Sequence, residues 1–471
     1  MKINSFHATN VHGYLNFDIN FFSDLTFLIG INGSGKTSAL KLLLGLTSPS
    51  FQYLSKIKYS SCKVVCSTNN DEKDIVITAE SIDDNHFQLS VQQNNELFVT
   101  GSIERYLPDS ILSIAYETED LSIREAHSRE MFETSEIIKK IQQLATPKYL
   151  GLDRRVYEGR FIDRRYIGYN SKYKKRHGEY FSEISAIDYS LEEVQTMVYD
   201  YTRKIAEKQP EISEDFKQKI FRQSFSYPEQ KGFESIPKSI ESISEKKEAV
   251  LTAINNLGMS YLNSDIVNYY KKIEELVAKN IALDKKNEVK YRLKKTSKKD
   301  DIDPFSSEYI SILSQWINNS SQLKRIDEII NYSQAYQERI AELRAPIRRL
   351  ENIVTNFLTE GKKNLFIEPD GRIKVGLKNG TSTSVYELSS GEKQIIIMIA
   401  HLIFEEDQKP SGIFIIDEPE LSLHIAWQQI FVDSITEASP KTQFILATHA
   451  PSIISKVERE LLCQDLNNKN N

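Results

Sequence analysis

Three short, mainly apolar runs stand out along the chain: Leu25-Thr26-Phe27-Leu28-Ile29, Gly412-Ile413-Phe414-Ile415-Ile416 and Gln443-Phe444-Ile445-Leu446-Ala447. Each has the length and branching of a strand covered on both faces, as in the middle of a parallel sheet. A different pattern precedes the first run. Leu15-Asn16-Phe17-Asp18-Ile19 alternates apolar with polar and predicts a strand pair leading into it. Between residues 56 and 115, β-rich runs at 62–65, 75–77, 87–91 and 97–99 are split by turns. They predict an antiparallel sheet flanking the core. Residues 135–144 read as a short helix and 148–152 as one more buried strand.

The pattern changes near residue 153. From there to 360 glycine and proline are sparse, and Lys, Glu, Gln and Ile dominate. Ile340, Leu343, Ile347, Leu350, Val354 and Phe357 recur at steps of three and four, a coiled-coil-like stripe, with Pro346 expected to kink it. Val267, Ile273, Leu276 and Val277 belong to an earlier helical stretch. Residues 290–303 (KYRLKKTSKKDDID) carry no apolar face and read as an exposed turn. The chain then returns through a hairpin, 365–367 and 373–375 around an Asp370-Gly371 turn, with a second turn at Lys378-Asn379-Gly380. The expected fold is α/β, a head split in two by a largely helical insertion. The expected bounds are 1–153, 154–360 and 361–471.

Chemistry gathers at the two ends. Gly30 to Thr37 (GINGSGKT) follows a predicted strand and opens a predicted helix, the context a phosphate-binding loop needs. Gly30, Gly33 and Gly35 let the backbone curl until successive N–H groups face phosphate oxygens. Asn32, Ser34 and Ser38 belong to the same expected nucleotide contact. Lys36 is expected to reach the β and γ phosphates, and the Thr37 hydroxyl to meet Mg²⁺. Asp417 and Glu418 end the second apolar run, beside the loop if the sheet is parallel. Asp417 is expected to hold Mg²⁺ and Glu418 to polarise the attacking water. His449 follows the third run, where a γ-phosphate sensor is needed. Ser389, Ser390, Gly391 and Glu392 precede a helix and form an anion site at its start. The expected cofactors are ATP and Mg²⁺.

These motifs in this order resemble the ABC/SMC superfamily of ATPases. The resemblance implies an ABC-type head in which the serine motif reads the γ-phosphate of nucleotide held by a second copy. It therefore implies a head-to-tail dimer. Asn32 in the loop, LSSGEKQ ending at Gln394, DEPELSLH from Asp417 to His424, and THAPSII from Thr448 make the chain similar to the ATPase heads of prokaryotic defence systems. Those are the ATPase part of OLD-family nucleases and the ATPase subunits of the Septu and PARIS antiphage systems, Septu first. Transporter ATPases usually carry aspartate where His424 stands. The short stretch after His449 leaves no room for the nuclease domain that OLD-family chains carry there. The resemblance thus implies an effector on another chain, a nuclease of HNH type in a Septu-like system or a Toprim-like protein in a PARIS-like one. Two rivals stand beside this regulatory reading: a DNA-repair ATPase that clamps ends with its arm, and a scaffold that holds ATP with little turnover.

Composition narrows the rest. A net charge of −6 gives no global attraction to nucleic acid. The local exception runs from Arg154 to Arg176, with Arg154, Arg155, Arg160, Arg164, Arg165, Lys172, Lys174 and Lys175 interleaved with Tyr157, Tyr166, Tyr169 and Tyr173. Nucleic-acid binding, a partner's docking face and a solvated surface all suit it, as does an arginine of Asp153-Arg154-Arg155 reaching phosphate. Cys62, Cys66 and Cys463 form neither a disulfide framework nor a metal cluster. No stretch has the apolar length of a membrane span, and MKINSFHATN lacks the core of a signal peptide. The expected compartment is the cytoplasm.

Overall fold

The computed structural model describes residues 1–48, 52–68, 71–84, 86–93, 96–104, 136–144, 146–151, 156–158, 186–225, 235–294, 307–406 and 412–467. The basic cluster therefore lies outside the described residues, apart from the backbone of 156–158. Two compact units emerge: Met1–Thr202 together with Pro346–Asn471, and Arg203–Ala345.

Among the described residues the first unit is built on three sheets. One is antiparallel. In chain order its strands are β1 (Lys2–Val11), β2 (Leu15–Asn20), β4 (Ser61–Thr68), β5 (Asp71–Ser81), β6 (His86–Gln93) and β7 (Glu96–Glu104), in the order β2-β1-β4-β5-β6-β7. Strict alternation makes these strands one-sided: Leu15, Phe17 and Ile19 of β2 are buried, and Asn16, Asp18 and Asn20 are exposed. The second sheet holds β3 (Leu25–Ile29), β8 (Lys148–Leu150), β9 (Val156–Glu158), β13 (Ile413–Asp417), β14 (Gln443–Ala447) and β15 (Cys463–Asp465), ordered β15-β3-β14-β13-β8-β9. All its pairings are parallel except β8 with β9. β13 and β14 are buried at every position, which is why their sequences are continuous apolar runs rather than alternating ones. The third sheet, β10 (Asn364–Ile367), β11 (Ile373–Gly376) and β12 (Ser382–Ser384), is the expected re-entry hairpin plus one strand.

The described helices of the first half are α1 (Lys36–Thr47) and the short α2 (Gln52–Lys56) and α3 (Glu136–Gln143), and α1 buries Leu40, Leu42, Leu43, Leu44 and Leu46. A helix apolar on nearly all faces has to be covered all round. Its side chains share one core with Phe6, Ile19, Val64 and Ile77 of the antiparallel sheet and with Leu28, Ile415 and Ile445 of the parallel one. Cys62 and Cys66 sit in that core, where burial pushes the Cys66 thiol up to about 12. The two sheets are also joined by a buried polar bolt. Gln443 accepts from Ile3 N–H at 2.7 Å and donates to the carbonyls of Ile3 and Phe22 at 2.7 and 2.8 Å.

The second unit is helical. It holds most of α4 (Ala186–Ser224), then α5 (Glu241–Asn256), α6 (Asn263–Lys294) and the first part of α7 (Ser307–Leu358). Its core joins Ile243, Val250, Tyr270, Ile273, Val277, Ile312, Trp316 and Leu323. Phe216 stacks on Tyr336 at 4.8 Å, and Arg339 pairs with Asp215 at 2.7 Å. The charged stretch expected to be a turn is helical as far as Lys294; Lys, Arg and Leu are good helix formers, and lack of an apolar face does not break a helix. Residues 295–303 of that expectation lie outside the described residues. α7 runs through Pro346 as one element, and the boundary between the units falls there. Among the described residues no helix is long and apolar enough to cross a membrane.

The Gln443 bolt makes a measurable claim. Gln443→Leu keeps the volume and strands the backbone groups of Ile3 and Phe22. It is expected to lower the stability of the first unit by about 2–4 kcal/mol, read from urea unfolding against wild type.

Candidate functional site

The loop between β3 and α1 is held in shape by glycine. Gly33 and Gly35 have φ of 88° and 89°, a region other residues enter at a cost. A Cβ on Gly35 would stand 2.7 Å from Phe17 and 2.9 Å from Leu15, so the loop lies directly on β2. Lys36 is only 5% exposed, and its ammonium donates to the carbonyls of Gly30 and Ile31 at 2.8 and 3.3 Å. The cation is thus folded over the loop. Asn467, just past β15, accepts from Ile31 N–H at 3.0 Å, and His12, in the turn between β1 and β2, lies 3.0 Å from the Ser38 hydroxyl. Asn32 is exposed and Ser34 buried.

Parallel pairing of β3, β14 and β13 brings the distant motifs together. Thr37 donates its hydroxyl to Asp417 at 2.8 Å. Tyr149, on β8, donates to the same carboxylate oxygen at 3.3 Å. Burial pushes the Asp417 carboxyl above its ordinary range, and the Glu418 charge adds to that; the Thr37 and Tyr149 hydroxyls pull the other way. The second Asp417 oxygen and the Ser34 hydroxyl are buried with no hydrogen-bond partner among the described residues. A threonine hydroxyl beside a buried carboxylate with an unspent oxygen is a hard-oxygen donor set, which fits Mg²⁺. A glycine loop, a helix start and an inward-folded lysine fit a polyphosphate.

Glu418 is half-buried and adopts a left-handed conformation, φ 48° and ψ 62°. Its N–H donates to Ala447 O at 2.8 Å, so the ladder between β13 and β14 runs one residue past β13 before the chain turns. A non-glycine residue held in this region stores strain, a habit of functional sites. Glu420, two residues on, has a side chain only 6% exposed. One of its oxygens accepts from the Thr448 hydroxyl at 2.8 Å and His449 N–H at 2.9 Å, and lies 3.0 Å from His449 Nδ1.

The serine motif is organised locally. Ser389 N–H and hydroxyl donate to Glu392 at 2.9 and 2.8 Å, a reciprocal cap at the start of α8 (Ser390–Glu406). Lys363 donates to the other Glu392 oxygen at 2.8 Å. Burial pushes the Glu392 carboxyl up, but Lys363 and Ser389 outweigh it and hold the group below its ordinary range. Ser389 and Ser390 are exposed and Gly391 half-buried. These residues bond to one another and to Lys363, and no hydrogen bond among the described residues ties them to the glycine loop between β3 and α1. Lys393, next along, pairs with Asp188 of α4 at 2.7 Å.

Sequence reasoning missed Glu420, Tyr149, Lys363 and Asn467. Only Glu420 carried a signal, as the second acid of the Asp417–Glu420 run; the others take their meaning from partners far along the chain.

The AAA ATPase domain family (AAA_15) matches residues 1–454. A curated relative, the Retron Vc95 probable ATPase of Vibrio cholerae serotype O1 biovar El Tor, is 28% identical over 228 residues, covering 46% of this chain and 40% of the relative. The Retron Ec83 probable ATPase of Escherichia coli is 31% identical over 123 residues, 24% of this chain and 22% of that protein. The chain thus spans less than half the length of the curated relatives it matches. Among solved structures, the Smc head domain with an extended coiled coil bound to the C-terminal domain of ScpA, from Pyrococcus furiosus, aligns with a TM-score of 0.39 and 14% identity, covering 96% of this chain and 91% of that one.

The cap on α8 carries a pH signature. A carboxyl held low in the folded state contributes stability above its unfolded pKa and loses it as pH falls through the folded one. Glu392→Gln should therefore cost about 1–2 kcal/mol at neutral pH, and the gap to wild type should close on acidification past the ordinary carboxylate range near 4. Unfolding curves across that range test it.

Proposed function

We infer the function from one premise: the chain belongs to the AAA ATPase domain family. On that premise it binds ATP with Mg²⁺ at the β3–α1 loop and hydrolyses it. The observation that carries this reading is the 2.8 Å hydrogen bond from Thr37 to Asp417, which unites two motifs separated by 380 positions around buried, unspent oxygens. The N–H groups from Gly30 to Ser38 and the Lys36 ammonium hold the phosphates. Thr37 and Asp417 hold the metal, which when bound neutralises charge on the β and γ phosphate oxygens. Glu418 accepts the proton of the attacking water. His449 meets the γ-phosphate.

The exposed Ser389 and Ser390 are suited to nucleotide held by a second copy, in a head-to-tail dimer. The chain then acts as a regulatory ATPase, controlling a separate effector in a defence system. Two relatives named as retron probable ATPases support that class, as does the sequence resemblance to Septu and PARIS ATPases. An HNH-type or Toprim-like nuclease is the effector the resemblance favours, and the basic Arg154–Arg176 cluster is its proposed docking face.

Two variants test the core of the reading. Lys36→Ala is expected to abolish ATP binding in calorimetry; unchanged affinity would refute the phosphate-loop assignment. Glu418→Gln is expected to keep binding and to lower hydrolysis by at least about 100-fold. Mixing Lys36→Ala with Ser389→Arg protein should restore some hydrolysis if the serine motif acts across a dimer, since a mixed dimer then holds one intact site.

A further inference from the structure

Two loops leave the nucleotide end of the parallel sheet. One follows β13 and forms the turn Pro419–Ser422; the other follows β14 and carries Thr448 and His449. They are 28 residues apart in sequence and are fastened to each other twice. The first fastening is Glu420, whose one carboxylate oxygen takes the Thr448 hydroxyl, the His449 N–H and His449 Nδ1 within 2.8–3.0 Å. The second is Gln428, on α9 (Ile425–Ala438). Its amide donates to the carbonyls of Glu420 and Leu423 at 3.3 and 2.9 Å and accepts from the Ser452 hydroxyl. Thr448 is in turn tied down by its N–H to Leu28 O at 3.1 Å, and its hydroxyl also accepts from Ala450 N–H at 3.0 Å.

We propose that Glu420 is a positioning residue for His449, clasping the turn after β13 to the loop after β14 so that the imidazole is presented to the γ-phosphate in one orientation, Nδ1 inward and Nε2 outward. The argument is geometric. The buried carboxylate, 6% exposed, is an acceptor only, so a ring nitrogen 3.0 Å away has to donate. That places a proton on Nδ1 and turns Nε2 to the ligand, where a phosphate oxygen, itself an acceptor, is met when Nε2 carries a proton too. The backbone bond from His449 to the same oxygen fixes the main chain as well as the ring, and the ring itself is 43% exposed. A side chain open to solvent on one side and pinned at Nδ1 on the other is preorganised for an incoming anion. An unpinned histidine would have to give up rotamer freedom on each turnover. Glu420 touches no phosphate in this account and acts only through His449. The inference rests on the ATPase reading above.

The test is a double-mutant cycle on the full chain with Mg-ATP, together with histidine side-chain ¹⁵N spectra taken without nucleotide. Glu420→Ala is expected to lower kcat by between about 10- and 100-fold with KM for ATP little changed. Glu420→Gln, whose amide oxygen accepts the same three donors, should recover most of that loss. In the His449→Ala background the effect of Glu420→Ala should vanish, because the residue it positions is gone. Multiplicative effects in the double variant would overturn the proposal. If the alanine variant does not fold, the cycle with Glu420→Met, which keeps the side-chain length and removes the acceptor oxygens, decides by the same rule. The spectra separate the clasp from the ATPase reading. The His449 signal, assigned by its loss in His449→Ala, should report a protonated Nδ1 in wild type and change in Glu420→Ala. An unchanged signal overturns the clasp whether or not ATP is hydrolysed. A changed signal supports it, and a wild type without hydrolysis then counts against the ATPase reading alone.

Discussion

The register of β3 against β14, and of β14 against β13, is the constraint on which the rest depends. Leu28 faces Ala447 and Ala447 faces Asp417, so the glycine loop, the acidic pair and the histidine leave the sheet at one level. A slip of one residue would turn every side chain to the opposite face. Thr37 and Asp417 would then no longer meet. Such a slip would also mismatch the packing on both faces of strands buried at nearly every position, and the Gln443 bolt fixes the same register from the neighbouring sheet. Packing that has no chemistry of its own therefore sets the geometry of the chemistry.

Charge at the site follows from the same burial. Asp417 lies at the bottom of a dry strand end, where an ionised carboxylate is expensive unless something shares its charge. Two hydroxyls share one oxygen and leave the other unspent. Glu392 shows the opposite solution. It too is buried, yet a lysine and a helix cap compensate it within the same chain, so its carboxylate serves to hold the serine motif in shape. The exposed serines beside it carry the part of the motif that faces outward.

The sequence made legible whatever is local. The buried strands announced themselves as apolar runs, β2 by its alternation, the re-entry hairpin by Asp370-Gly371, and the loop between β3 and α1 by glycines at fixed spacing between a strand and a helix. What stayed hidden depends on long-range pairing. Glu420 looked like one more acid in an acidic turn until β14 delivered Thr448 and His449 to it. Lys363 and Glu392 are both ordinary surface residue types, and only the hairpin between them makes them partners. Gln443 read as the polar start of a strand, and nothing in its neighbourhood names Ile3. The helical stretch 290–294 misled for another reason: a run of charges says a segment is wet, not that it is bent.

The split of the head has a consequence for how the chain is made. β3 leaves the ribosome long before its neighbours β14 and β15, which come from residues 443–447 and 463–465. Such non-local pairing is slow to form, because a long loop must close before any contact rewards it. Until then, among the described residues, α1 and β3 have the antiparallel sheet to lean on, and the strand edges that will meet β14 and β15 are open. The half of the head made first therefore waits with open strand edges, a state exposed to misfolding, and Thr37 has no Asp417 to meet until β13 has been made.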